Sequence, residues 1–259
     1  TYSEGFRTPS AIELACADSS TPCSGIPNAF GADPYLKAVV SKTIELGLRG
    51  KFGDAASWNM ALFRSDLYND IIFMAATPTT GYFANVNQTR RQGLELGVHG
   101  KVDRFDYAAN LSWIEATFQT TFDVANPANS QQSTSAKAGD RIPGIPEGML
   151  KLKFGYAVTP ETRIGTAITA QGPQYARGDE NNLDANGKIP GYTVVNLDVT
   201  HRVSKTFEFF GGISNVFDAS YATYGVLGDN NLNASGVAYE QFRSYGAPRA
   251  YYAGVRGNF

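Results

Sequence analysis

Two polar stretches of this 259-residue chain hold the side chains best suited to gripping a ligand. One carries Tyr175 and Arg177. The other carries Tyr221, Tyr224, Tyr239, Phe242, Arg243 and Tyr245. Aromatic rings stack on flat groups, and arginine forks pair with anions through two parallel hydrogen bonds. Together they read as a mouth for a bulky, anionic or aromatic ligand. The same residues also fit a plainer role, as packing within loops and as an aromatic belt at a membrane interface.

Other chemistry is sparse. Cys16 and Cys23 flank a turn-like run, which fits a small disulfide in an exposed loop of an exported protein or two separate thiols. Their spacing is not that of a zinc-binding pair, and neither histidine lies nearby to complete such a site. Glu95 and His99 make too small a set for a metal. The run "RGDENNLDANGK" offers Asp179, Glu180, Asp184 and Asn186 as oxygen donors, but its spacing misses the calcium-loop pattern, so it reads as a solvated turn. No nucleophile elbow, zinc-protease helix motif or phosphate loop occurs, and no catalytic residues are expected. No cofactor is expected either. A net charge of -2 gives no electrostatic grip on nucleic acid.

Strands must position these residues. Ile44, Leu46, Leu48 and Phe52 alternate with Glu45, Arg49 and Lys51; Leu94, Leu96, Val98 and Val102 alternate with Glu95, His99 and Lys101. Leu150, Leu152, Phe154 and Tyr156 alternate with Lys151 and Lys153; Val195, Leu197, Val199 and Val203 alternate with Asn196, Asp198, Thr200 and Arg202. A period of two marks strands with unlike faces. Ten segments emerge, near 1–7, 36–51, 56–70, 81–102, 105–122, 147–157, 162–176, 190–202, 207–217 and 247–259. Their connections alternate between short turns and long polar loops. A soluble sandwich has no reason to place every long loop at one end, whereas an outer-membrane barrel does. No run reaches the roughly 20 apolar residues of a spanning helix. The fold class is therefore all-β, an antiparallel transmembrane barrel. Glu45, Arg49, Glu95, His99, Arg202, Glu208 and Arg256 fall on its lumen face or serve as ordinary strand polarity. The first residues already read as the end of a strand, so the chain is expected to be a piece of a longer one.

Four blocks then carry a resemblance: "YSEGFRTPSAIEL" at 2–14, "NQTRRQGLELGVHG" at 87–100, "GISNVFDASYATYG" at 212–225 and "GAPRAYYAGVRGNF" at 246–259. In this order they resemble the C-terminal barrel part of TonB-dependent outer-membrane receptors of the siderophore type. "PNAFGADPYL" is similar to a loop of a proteobacterial branch. The resemblance implies a barrel of about 22 strands, of which residues 1–259 supply the last ten, with the plug and TonB box absent from this chain. It adds Arg7, at a strand end, to the ligand-contact candidates. It makes Tyr251, Val255 and Phe259 a signal for the barrel-assembly machinery. The implied location is the Gram-negative outer membrane, and the implied activity is TonB-driven uptake of a scarce nutrient, foremost a ferric siderophore, ahead of vitamin B12 or a saccharide. The implied partners are the TonB complex through the plug, the assembly machinery, and the lipid bilayer with its lipopolysaccharide. A passive porin-like barrel and a soluble secreted β-sandwich are the alternatives.

Overall fold

The computed structural model describes residues 1–16, 23–24, 36–53, 55–75, 80–124, 135–230 and 239–257. In chain order the elements are β1 (Tyr2–Arg7), α1 (Ala11–Ala15), β2 (Cys23–Ser24), β3 (Val39–Phe52), β4 (Ala56–Ala75) and β5 (Thr80–Val102). They continue with β6 (Phe105–Phe118), β7 (Phe122–Asp123), β8 (Ser135–Ala136), β9 (Gly148–Ala157) and β10 (Thr162–Gln171). The last are β11 (Tyr192–Arg202), β12 (Phe207–Ser214), β13 (Ala222–Asp229), β14 (Tyr239–Tyr245) and β15 (Ala250–Gly257). One open antiparallel sheet runs β1-β3-β4-β5-β6-β9-β10-β11-β12-β15, with β2 alongside β5. Its ten wall strands are the ten segments marked by alternation. β13 and β14 form a separate hairpin at the long-loop end, and β7 pairs with β8.

Residues directly opposite in an antiparallel ladder share a face, so register extends each strand's alternation across the sheet. One row reads Leu48–Met60–Leu96–Leu111–Leu150–Ala170–Thr193. The adjacent row on the other face reads Arg49–Asn59–Gly97–Asn110–Lys151–Thr169–Val194. Leu46 and Phe52 are each 66% exposed, and Phe209, Tyr251 and Val255 stand open on the same apolar face. An apolar surface of this extent, uncovered by any other element among the described residues, is stable against hydrocarbon and not against water. No second sheet covers either face among the described residues, which overturns the sandwich alternative. The polar face, which includes Glu45, Glu95, His99, Arg202, Glu208 and Arg256, is the lumen wall; there Arg256 pairs with Glu208 at 3.1 Å.

Short connections join β3 to β4, β5 to β6 (103–104), β9 to β10 (158–161) and β11 to β12 (203–206) at one end. Asp103 takes φ +50° in the two-residue turn, a conformation that Asp tolerates and β-branched residues do not. At the other end, β4 and β5 run 20 and 23 residues, well past the about 9–11 needed to cross a bilayer. They project beyond the membrane, and the buried clusters gather around that projection. Phe118, Val124 and Ala136 pack with Ile72, Phe122 and Ile142; Ala176, Ile189, Ala222 and Leu227 form a second cluster.

Two joints fix the loops to the wall. Ser10 caps α1 in a reciprocal box with Glu13, whose carboxylate also holds Arg7 at 2.7 Å. The backbone of Cys16 accepts from Phe83 N–H, and Cys23 pairs with Gly81, so both cysteines dock on neighbouring positions of β5. The side chain of Cys23 lies outside the described residues. Between β12 and β13 the chain turns at Asn215, 2% exposed with φ +51°. Its side chain donates to the carbonyls of Ala219 and Ala247 and accepts from Ala219 N–H. Asp218 receives the backbone N–H of Arg249 at 2.8 Å. The sequence blocks around Asn215 and Arg249 are thus two halves of one corner.

Candidate functional site

The long-loop end draws together three elements that are far apart in sequence. Segment 172–191 lies between the β13–β14 hairpin and the stretch leading into β9. Toward the hairpin, Arg177 N–H donates to Gly225 and Arg177 O accepts from Leu227 N–H. Toward β9, the Asn182 amide pairs with both backbone groups of Arg141, at 2.6 and 3.0 Å. From the third side, the Arg177 guanidinium lies 4.6 Å from the ring centre of Phe73 on the projecting part of β4. Arg177 is exposed, so a cation stands between the hairpin and the projecting part of β4, with its backbone fixed and one face against an aromatic ring.

The other candidates separate into occupied and open. Lys188 stacks on Tyr175 at 4.9 Å and contacts Glu147 at 2.5 Å. Its hydrogen bond, reinforced by Arg141, holds the Glu147 carboxyl below the usual carboxylate range against the opposing effect of burial. Tyr221 packs on Tyr192 with tilted rings 4.5 Å apart and covers Gly246, where no Cβ would fit. These two tyrosines are packing residues. Arg243 donates to Gln241, which in turn donates to Gly187 O. Tyr224, Phe242 and Tyr245 are exposed on the hairpin and its exit. Arg7 serves the α1 joint, where its bond to Glu13 keeps that carboxyl low. The side chain of Tyr239 and the whole of Phe259 lie outside the described residues. Tyr251 and Val255 stand on the lipid face of the last strand, opposite Ile213 and Phe209.

The segment expected as a solvated turn is not one. Asp179, Glu180, Asn181 and Asp184 are all buried. The carboxylate of Asp179 accepts from Leu183 and Asp184 N–H, so the acidic side chain builds the turn from inside. Burial pushes the Glu180 carboxyl up to about 7, against the Gly178 N–H and the Arg177 charge and with help from Asp179. Glu95 and His99 lie four positions apart on one strand, about 13 Å, too far to share an ion. The sequence reading missed Arg141, Glu147, Lys188 and Phe73, because their relations are between loops and leave no local pattern.

An open sheet with an apolar outer face, a polar lumen face, short turns below and interlocked loops above defines part of an outer-membrane barrel. Residues 1–216 match the family described as TonB dependent receptor-like, beta-barrel, and the chain belongs to that family. It is a family of receptors and transporters rather than of enzymes, seated in the outer membrane of Gram-negative bacteria. The probable TonB-dependent siderophore receptor PiuA of Acinetobacter baumannii is 25% identical over 185 residues, which cover 71% of this chain and 24% of that protein. The catecholate siderophore receptor Fiu of Escherichia coli K12 is 23% identical over 252 residues, 96% of this chain and 29% of Fiu. Among solved structures, closed Fiu superposes with TM-score 0.68 at 22% identity, covering all of this chain and 32% of that one. The copper transporter OprC superposes with TM-score 0.72 at 20% identity, covering all of this chain and 36% of that one. The chain thus spans about a quarter to a third of the proteins it resembles.

Proposed function

We propose that the protein containing this chain takes up a ferric siderophore across the outer membrane, in a cycle driven by TonB. The observation that carries this reading is Arg177, an exposed cation held over Phe73 where segment 172–191 meets the β13–β14 hairpin and β4. A ferric catecholate is anionic and aromatic, and it complements a guanidinium over Phe73 on a segment bonded to the hairpin that exposes Tyr224 and Phe242. That PiuA and Fiu are named as siderophore receptors supports the same choice. In this reading the ten wall strands are the last ten of a barrel of about 22, and a plug encoded upstream couples to TonB. The loops capture cargo, and movement of the plug admits it. The barrel-assembly machinery reads the last strand through Tyr251, Val255 and Phe259, and lipopolysaccharide surrounds the outer half of the wall.

The test is equilibrium binding of a ferric catecholate to the full-length receptor, followed by iron uptake in cells. Wild type is expected to bind, and Arg177→Ala to weaken binding about tenfold with unchanged surface abundance. Binding of copper or a glycan instead, with no affinity for any ferric siderophore, would overturn the reading.

A further inference from the structure

What holds the Arg177 side chain is a ring. Its guanidinium lies 4.6 Å from the centre of Phe73. Among the described residues, no hydrogen bond or ion pair ends on that guanidinium. A cation held in this way keeps its N–H donors for a ligand. Where the cation stands therefore depends on where the ring stands.

The ring is set by β5 and not by the segment that carries Arg177. Phe73 stands directly opposite Phe83 in the β4–β5 ladder, and Gly81 follows on the same face of β5. Phe83 meets Phe73 edge to face, with centroids 5.3 Å apart and planes at 73°, an arrangement that aromatic pairs prefer. On the other side the ring fills the space that a side chain at position 81 would need. A Cβ on Gly81 would stand 2.2 Å from Phe73 Cζ and 2.6 Å from Met74 O.

The same two residues of β5 fasten the first long loop. β6 pairs with β5 only as far as Thr89, so it leaves the edge of β5 at 80–88 to other partners. There Phe83 N–H donates to Cys16 O at 2.7 Å, and Cys23 pairs with Gly81. Contact thus runs from the first long loop, through β5 and the Phe73 ring of β4, to segment 172–191.

We infer that Gly81 and Phe83 are positioning residues for Arg177, acting through the Phe73 ring to set how the cation meets an anionic ligand. Their part in capture rests on the proposed uptake of a ferric siderophore, whereas the placing of Arg177 stands apart from it.

Two measurements on the full-length receptor test this. One follows the reaction of Arg177 with phenylglyoxal, an arginine-selective dicarbonyl, by peptide mass, and needs no cargo. The other is equilibrium binding of a ferric tris-catecholate complex. Phe73→Leu keeps an apolar side chain but removes the π face. Gly81→Ala displaces the ring, and Phe83→Ala removes its edge support. Each should let Arg177 react about threefold faster and weaken binding about fivefold. Phe73→Trp should restore what leucine loses. The double variant Arg177→Ala, Phe73→Leu should bind no more weakly than Arg177→Ala, because the ring acts only through the cation. Arg243, on the hairpin, should react at the wild-type rate throughout. Wild-type reactivity of Arg177 in the three ring variants, an equal rise at Arg243, or an additive loss in the double variant overturns the inference. If reactivity follows the ring but Arg177→Ala binds as wild type does, the siderophore reading fails and the positioning of Arg177 stands.

Discussion

Asn215 and Glu180 show what single residues do in this protein. Asn215 occupies a left-handed backbone position and satisfies carbonyls and an N–H from two chain segments. Asn215→Ala keeps the strain and orphans those groups, so it should cost about 3 kcal/mol, read as a lower unfolding midpoint of the full-length barrel. Glu180 works through its proton. Its folded pKa, about 7, lies above the unfolded value of 4.5, so the folded loop holds a proton that the unfolded loop releases. Its stabilising effect is complete below about pH 4.5 and is lost as pH rises through about 7, a change on the order of 3 kcal/mol. Hydrogen exchange over 178–187, corrected for intrinsic rates, should therefore show less protection at pH 8 than at pH 5.5. Glu180→Gln should abolish that difference, and a slope that persists in the variant counts against Glu180 as its source. Neither role was visible in the sequence. "DENNLD" has the composition of a solvated turn, and its burial depends on Arg141 and the β13–β14 hairpin, which are remote in the chain.

At the scale of elements, the wall was legible and the loops were not. A strand that faces lipid on one side and water on the other writes its period into adjacent residues, and register then copies that pattern to its neighbours. Hence each wall strand from β1 to β15 was marked within a few residues. β13 escaped because Gly225 and Gly228 interrupt its alternation, and its pairing with β14 spans a long loop. The cysteines test the joint between loop and wall. Both dock on β5, and we expect a Cys16–Cys23 disulfide; intact-mass measurement should register a 2 Da gain on reduction, as two bound hydrogens require. No gain would leave the joint to backbone hydrogen bonds alone. Two glycines at the upper ends of the wall strands give a second element-level contrast. Gly191→Ala forces a carbonyl to move and should lower the thermal midpoint of the barrel, whereas Gly148→Ala has room and should leave it unchanged.

For the molecule as a whole, the apolar outer face decides the environment, and the loop junction carries the proposed role. The candidate site was half legible. The residue types that suit an anionic aromatic ligand could be named, but their division into packing and exposed groups could not. Tyr175 and Tyr221 are spent on Lys188 and Tyr192, while Arg177 gains its place from Phe73, a residue with no local mark. The wall also presents β1 and β15 as edges, each paired on one side only among the described residues. Unpaired edges recruit other strands. The chain expressed alone in detergent should therefore form oligomers by light scattering, and the full-length receptor should form a monomer.

The alternation of short turns and long loops also sets a clock. Closing a loop costs entropy that grows with its length, and contacts close in sequence form early. The pairs joined by tight turns, β3 with β4, β5 with β6, β9 with β10 and β11 with β12, should therefore form ahead of the joints that must wait for the loops to close. Pulse-labelled exchange during refolding should find these four hairpins protected first, each a ready-made unit for insertion, with the loops above locking last.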